Sequence, residues 1–207
     1  REGENTLILK VDNRRRPDAV PTVNTDWHNY GGITRSVNVI TVPDVFIRDY
    51  FIQLKKGSSD VAAGWVQMDG AGNRSVTIEI PELKVKQTVN TDNTGYGTFE
   101  FKCKPTLWSP ENPKLYVVRL TSDTDTVEDE VGLRTIETRG KEIYLNGKKL
   151  FCRGISIHEE APIRSGRAWS VEDATVLLGW AKEMNCNFVR LAHYQHNENM
   201  VRTAERM

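Results

Sequence analysis

Near residue 138 the apolar residues of this chain change their spacing, and that switch constrains the fold more than any single motif. Before it, apolar and polar residues alternate, most cleanly in Val76-Thr77-Ile78-Glu79-Ile80 and Phe99-Glu100-Phe101-Lys102-Cys103. Such alternation turns one face of a β-strand to a core and the other to water. After it, Ala174, Leu177, Leu178, Ala181 and Met184 recur every three or four positions, the single stripe of an α-helix. The expected class is mainly β with an α/β continuation.

Between about Pro43 and Glu137 seven candidate strands follow one another at the regular spacing of an all-β sandwich. They are Val45 to Leu54, Ala62 to Met68, Ser75 to Ile80, Leu83 to Val89, Tyr96 to Cys103, Leu115 to Thr121 and Val127 to Glu137. Turn chemistry separates them at Gly70 to Asn73, Pro81, Asp92 to Gly95 and Ser109 to Pro113. Upstream, Leu7-Leu9-Val11 and Ser36 to Val42 are β-like but too few to close a sheet alone, and they read as the tail of a larger β-domain.

Past Thr138, the Asn146-Gly147 dipeptide within Ile143 to Phe151 predicts a type I′ hairpin. Phe151 to Ile157 reads as a buried strand, and Ser170 with Asp173 forms a capping box opening a helix. Phe188 to Ala192 is a second apolar strand, and Asn197 caps a helix carrying Met200, Val201, Ala204 and Met207. Strand–helix–strand–helix order predicts parallel strands joined by a right-handed crossover. Two such units cannot bury both faces of a parallel sheet, so the chain is expected to be a piece of a longer protein, or another chain must supply the remainder. The start at Arg1 without Met and the uncapped helical end at Met207 point the same way. Helix residues Leu177, Leu178 and Ala181 are then expected to be exposed and to drive self-association or partial disorder at the C-terminal end.

The 28 basic and 28 acidic residues cancel, which gives no footprint for nucleic acid or an anionic membrane. Arg14-Arg15-Arg16 reads as a solvated loop, and no stretch approaches the roughly 20 apolar residues of a membrane span, so a soluble protein is expected. Cys103, Cys152 and Cys186 fit neither a disulfide framework nor a metal clip and read as buried small hydrophobes, leaving the compartment open between cytoplasm and periplasm.

In a nascent barrel, function gathers just past the strand C-termini. There the sequence carries His158-Glu159-Glu160 and Arg190-Leu191-Ala192-His193-Tyr194. Arg190, inside an apolar strand, is expected to face a carboxylate. A single histidine reads better as a strand-end cap bonding backbone groups, but two at corresponding positions point toward a site. A metal set of His193, His196 and Glu159 is the weaker reading, because its spacing is no recognised ligand pair.

Five ordered segments carry a resemblance: Asp26 to Arg35, Leu107 to Tyr116, Val131 to Arg134 with Ile136-Glu137, Arg153 to Glu159, and Asn187 to Tyr194. Together they resemble family 2 glycoside hydrolases of the β-galactosidase/β-glucuronidase type over nearly the whole chain. The resemblance implies three parts: residues 1–43 as the tail of a jelly-roll sugar-binding β-sandwich, 44–137 as an immunoglobulin-like sandwich, and 138–207 as the start of a TIM barrel. It implies substrate-binding roles for Asp26, His158, Arg190 and His193, a β-linked carbohydrate substrate and a homo-oligomeric parent, and it names no cofactor. Ser156 and Gln195 depart from the family's usual Asn and Pro.

Retaining glycosidases place two carboxylates about 5–5.5 Å apart. Adjacent residues of an extended run point to opposite faces, so Glu159 and Glu160 cannot be that pair. The family's catalytic glutamates resemble residues of later barrel strands; no catalytic residue is assigned in this chain, which is expected to be inactive alone. The alternatives are a non-catalytic carbohydrate-binding or scaffold protein of β-sandwich modules, against which the βαβα tail argues, and a β-mannosidase of the same family.

Overall fold

Seven antiparallel strands build the middle of the molecule, described here from a computed structural model covering residues 3–207. They are β1 (Phe46–Leu54), β2 (Val61–Asp69), β3 (Ser75–Ile80), β4 (Val85–Asn90), β5 (Tyr96–Lys102), β6 (Tyr116–Thr121) and β7 (Thr126–Val131). One sheet has the order β1-β2-β5 and the other β4-β3-β6-β7. Val66 of the first sheet and Val76, Ile78, Ile80, Val118 and Leu120 of the second are fully buried between them. Alternation thus works as read: every second residue of β3 and β6 points into the core.

Two strand limits differ from the sequence reading. Pro81–Leu83 forms a short 3-10 turn with Lys84 in the left-handed region, and the strand starts only at Val85. Proline's fixed φ suits the first position of a helical turn. The run Val127 to Glu137 divides in two, because Leu133 is drawn into the sandwich core and Gly132 presses on Trp108. A Cβ on Gly132 would lie 2.6 Å from the Trp108 ring. The chain therefore leaves β7 at Val131 and begins β8 (Ile136–Arg139), which joins β9 (Glu142–Leu145) and β10 (Lys148–Leu150) in a separate sheet. The β9–β10 turn has φ 52° at Asn146 and 74° at Gly147, as a type I′ turn requires.

The rest is β11 (Gly154–Ile157), α1 (Val171–Glu183), β12 (Phe188–Leu191) and α2 (Glu198–Arg206). β11 and β12 are parallel, with Gly154 opposite Phe188 and Ile157 opposite Leu191. Their approach at Gly154 leaves no room for a side chain, since a Cβ there would sit 2.2 Å from the Phe188 carbonyl oxygen. Phe151, expected inside this strand, is 74 % exposed, because the chain before Gly154 is tied to Asn187 side-chain bonds rather than to a ladder. The α1 capping box forms, with Ser170 and Asp173 exchanging bonds.

The expected exposed helix face is not found. Ala174, Leu178 and Ala181 are buried with Ile157 and Met200 in a second core, and Leu177 is partly covered, because α2 lies against α1. Exposure falls on Trp180, Met184 and Val201. The outer face of α2 meets the sandwich instead. Arg202 donates to Asp129 at 2.5 Å, Arg134 to Glu205 at 2.7 Å, and Trp108 Nε1 to the Glu205 carbonyl at 2.7 Å.

Residues 3–45 contain no strand, so Leu7 to Val11 and Ser36 to Val42 keep their apolar alternation exposed. No neighbouring strand among the described residues accepts their ladder bonds, and an unpartnered strand is not stable in water. All three cysteines are free; Cys103 is buried, while Cys152 and Cys186 are only half-buried. Among the described residues no helix is long and apolar enough to cross a membrane.

Candidate functional site

The C-terminal ends of β11 and β12 lie side by side, and the residues that follow them converge. His158 follows β11 directly, and His193 follows β12 after Ala192, across a cis Ala192–His193 peptide. Their rings meet edge to face at 5.3 Å. The ring of Trp27, from the strandless N-terminal stretch, lies 5.3 Å from His193, 6.4 Å from His158 and 6.1 Å from Tyr194.

Arg190 donates from Nη2 to His193 Nδ1 at 2.8 Å. This corrects the expected carboxylate partner: Arg190 is exposed, forms no ion pair among the described residues, and uses the imidazole as acceptor. A guanidinium has no lone pair, so His193 Nδ1 must accept and the ring proton sits on Nε2. Tyr194 Oη accepts from the Glu159 N–H at 3.2 Å, leaving its own proton toward His158 Nδ1 at 3.5 Å, a weak bond. Under Trp27 the two imidazoles lie beside an exposed guanidinium, with His193 Nε2 carrying a proton to donate, a set suited to hydroxyl or carboxylate oxygens.

Asp26 directly precedes Trp27 and is exposed, with no bond from its carboxylate to another described residue. Its backbone surroundings are fixed by Arg15, whose guanidinium donates to the carbonyls of Thr25 at 3.1 Å and Trp27 at 2.8 Å. The basic run is therefore only partly a solvated loop: Arg14 pairs with Asp12 at the surface, and Arg15 brackets Asp26.

Glu159 is the residue sequence reasoning undervalued. Its side chain is fully buried, yet it carries a charge matched by four donor groups: two guanidinium groups, a backbone N–H and a side-chain amide. Oε2 accepts from Arg35 at 2.7 Å and from Arg167 Nε at 2.8 Å, with a further contact from Arg167 Nη2. Oε1 accepts from the Asn197 N–H at 2.5 Å and Nδ2 at 2.8 Å, at the N-terminus of α2 where the helix dipole favours an anion. Burial pushes its pKa up, but the bonds from Arg35, Asn197 and Arg167 outweigh it and hold the carboxyl below its usual range. Arg167 also lies over the Tyr194 ring, 4.8 Å from its centroid. The signals were present as a Glu after a strand-end His and an Asn at a helix cap, but only the fold brings them to Arg35, 124 residues away from Glu159 in sequence.

His196 stacks on Tyr194 and donates from Nε2 to the Ala192 carbonyl at 3.0 Å. Its Nδ1 is buried without a partner, and burial draws its pKa down. With Glu159 saturated and His196 turned to backbone, the metal reading finds no support: among the described residues no group of three potential ligands comes together.

Comparison with known proteins finds similarity along nearly the whole chain to proteins named as glycosidases. A Formosa agariphila protein assigned by name to the β-glucuronidases is 29 % identical across the whole chain, which spans 27 % of that protein. The β-galactosidase of Alteromonas mediterranea is 30 % identical over 95 % of the chain and 21 % of its own length. Among solved structures, β-glucuronidase 3 of Bacteroides uniformis superposes with a TM-score of 0.75 at 28 % identity, covering 94 % of this chain and 26 % of that one. A galacturonate-bound β-galacturonidase of Eisenbergiella tayi gives a TM-score of 0.76 at 27 % identity, with 94 % and 37 % covered. The chain thus spans about a fifth to a quarter of the curated relatives it matches. The family model for glycosyl hydrolases family 2 matches residues 45–134, and the model for that family's TIM barrel domain matches residues 136–207. Both descriptions name one family and take up nearly all of the chain beyond residue 44: this chain belongs to glycosyl hydrolase family 2.

Proposed function

We propose that this chain forms one wall of the terminal-sugar site of a retaining exo-β-glycosidase acting on β-galactosides or β-glucuronides, and that it turns over neither by itself. His158 and His193 donate to sugar oxygens, Arg190 orients His193, and Asp26 reaches in from the strandless stretch. The division at residues 1–43, 44–137 and 138–207 belongs to the same reading. The observation that carries it is the paired histidine ring system at the ends of two parallel strands, roofed by Trp27. Strand C-termini are where barrel enzymes assemble their sites.

Chemistry is assigned elsewhere because Glu159 has both oxygens engaged by arginine and asparagine donors and Glu160 is exposed. With Glu159 so held, it and Glu160 cannot serve together as an acid/base and nucleophile pair. The test is a titration of the purified chain with methyl β-D-glucuronide and methyl β-D-galactoside, alongside a turnover assay with chromogenic β-glycosides. One of the sugars is expected to bind, His193→Ala to weaken it about tenfold by removing one hydrogen bond to the ligand, and turnover to be nil. Turnover by the chain, or binding indifferent to His193→Ala, overturns the reading.

A further inference from the structure

The stretch that carries Asp26 and Trp27 has no β-ladder to hold it, so something else must fix Trp27 over the histidines. We propose that Glu159 is the positioning residue of this site: buried beneath the strand ends, it clamps Arg35 to Arg167 and Asn197, and so keeps the Trp27 ring over His158 and His193. The inference rests on the sugar-site reading above and adds the part that assembles it.

Three segments distant in sequence meet on one carboxylate: the N-terminal stretch through Arg35, the β11–α1 connection through Arg167, and the α2 cap through Asn197. Arg35 Nη2 also donates to the Gln195 carbonyl at 2.7 Å, so a single nitrogen joins its segment to both strand-end loops. A buried carboxylate is retained only where its donors repay desolvation, and removing it leaves its cations unmatched. The two arginines would then respond differently. Arg167 is 13 % exposed and boxed in, whereas Arg35 is 40 % exposed and can move into water. With glutamine at 159, one end of the amide is an N–H₂ and must face donors, whichever way it turns. Arg35 is the partner that lets go, and Trp27 goes with it.

The test labels the full chain with 5-fluorotryptophan and follows five ¹⁹F resonances, Trp27 being assigned by Trp27→Phe. Glu159→Gln and Arg35→Ala should move the Trp27 resonance to the same place, the double variant should move it no further, and Trp65 and Trp108 should stay. Arg35→Lys should restore the wild-type position, because one ammonium can serve both acceptors that a single Arg35 nitrogen serves. Sugar affinity should fall about tenfold in Glu159→Gln and recover in Arg35→Lys relative to Arg35→Ala. If Glu159→Gln unfolds the segment around it, seen as a displaced resonance of Trp180 on α1, the Arg35 pair decides alone. A Trp27 resonance unmoved by Arg35→Ala overturns the clamp. A wild-type chain that binds neither glycoside overturns the sugar site, while the Trp27 resonance still reports on the clamp separately.

Discussion

The sandwich and the βαβα segment bury different things. Between β1–β7 the core is apolar, Ile78, Leu120 and Val66 being fully covered, and Thr91 is the buried polar residue among those strands and turns. In the βαβα segment a smaller core of Ile157, Ala174, Leu178 and Met200 lies beside buried Glu159, Asp173, Asn197 and Thr203. An antiparallel unit completes its ladders and its core with its own strands. Two parallel strands do not, and here polar groups fix the strand ends around the candidate site.

That contrast is broken most forcefully from the sandwich side. Ile78→Ala removes a fully buried side chain between two complete sheets and should destabilise the sandwich by about 2–5 kcal/mol in urea unfolding. Met200→Ala empties a site as well covered, but in the smaller core. It should loosen α1 and α2 while the sandwich transition stays put. Hydrogen exchange read separately on β3 and on α2 checks this, and the division fails if Met200→Ala lowers protection in both alike.

Acid should separate the two regions next. In Glu159 and Asp173, burial raises the pKa, but hydrogen bonds, from Arg35, Asn197 and Arg167 in one and from Ser170 and Arg164 in the other, lower it further. Asp129, which pairs with Arg202 of α2, is depressed in the same manner by Arg202 and Tyr50. A folded-state pKa below the unfolded one means the stabilisation is full above the ordinary values, 4.5 for Glu159 and 3.8 for the aspartates, and drains as pH falls through the depressed ones. The βαβα segment and its docking should therefore loosen in acid before the sandwich does. Amides of β12 and α2 losing protection at a pH where β3 and β6 keep theirs would bear this out; simultaneous loss would break it.

The same contrast decides what could be read in advance. Alternation marked all seven sandwich strands because each has one covered face, and it failed only where Pro81 imposed a turn and Leu133 pulled the chain off β7. Periodicity and caps gave both helices, since Ser170 and Asn197 act on amides three residues ahead. The N-terminal β-like runs form no strand within the described chain, as their small number predicts, because a strand needs a neighbour that those residues do not have there. At the strand ends, the meeting of His158 and His193 was legible from their places after the strands, whereas Arg190's partner was not: an imidazole three residues on took the place of the carboxylate that charge alone suggested. The Glu159 clamp was invisible, because sequence spacing says nothing about residues that meet only through three separate segments.

The finest distinction lies within the βαβα segment, between its two helix caps. Ser170 Oγ accepts from the Asp173 N–H at 3.1 Å within its own helix turn, and the Asp173 half of the box survives its loss. Ser170→Ala should therefore cost about 1 kcal/mol or less, toward the low end for N-cap deletions. Asn197 caps Met200 at 3.2 Å and also donates to Glu159 and to the Ala168 carbonyl, both at 2.8 Å. Asn197→Ala forfeits a cap and leaves one oxygen of a buried carboxylate with only the backbone N–H, so it should cost more than Ser170→Ala and weaken the hold on Arg35 as well. Equal losses from the two alanines, measured by exchange of α1 and α2 amides, would mean that Asn197 acts as a cap alone and that the strand-end site draws no rigidity from the helix beneath it.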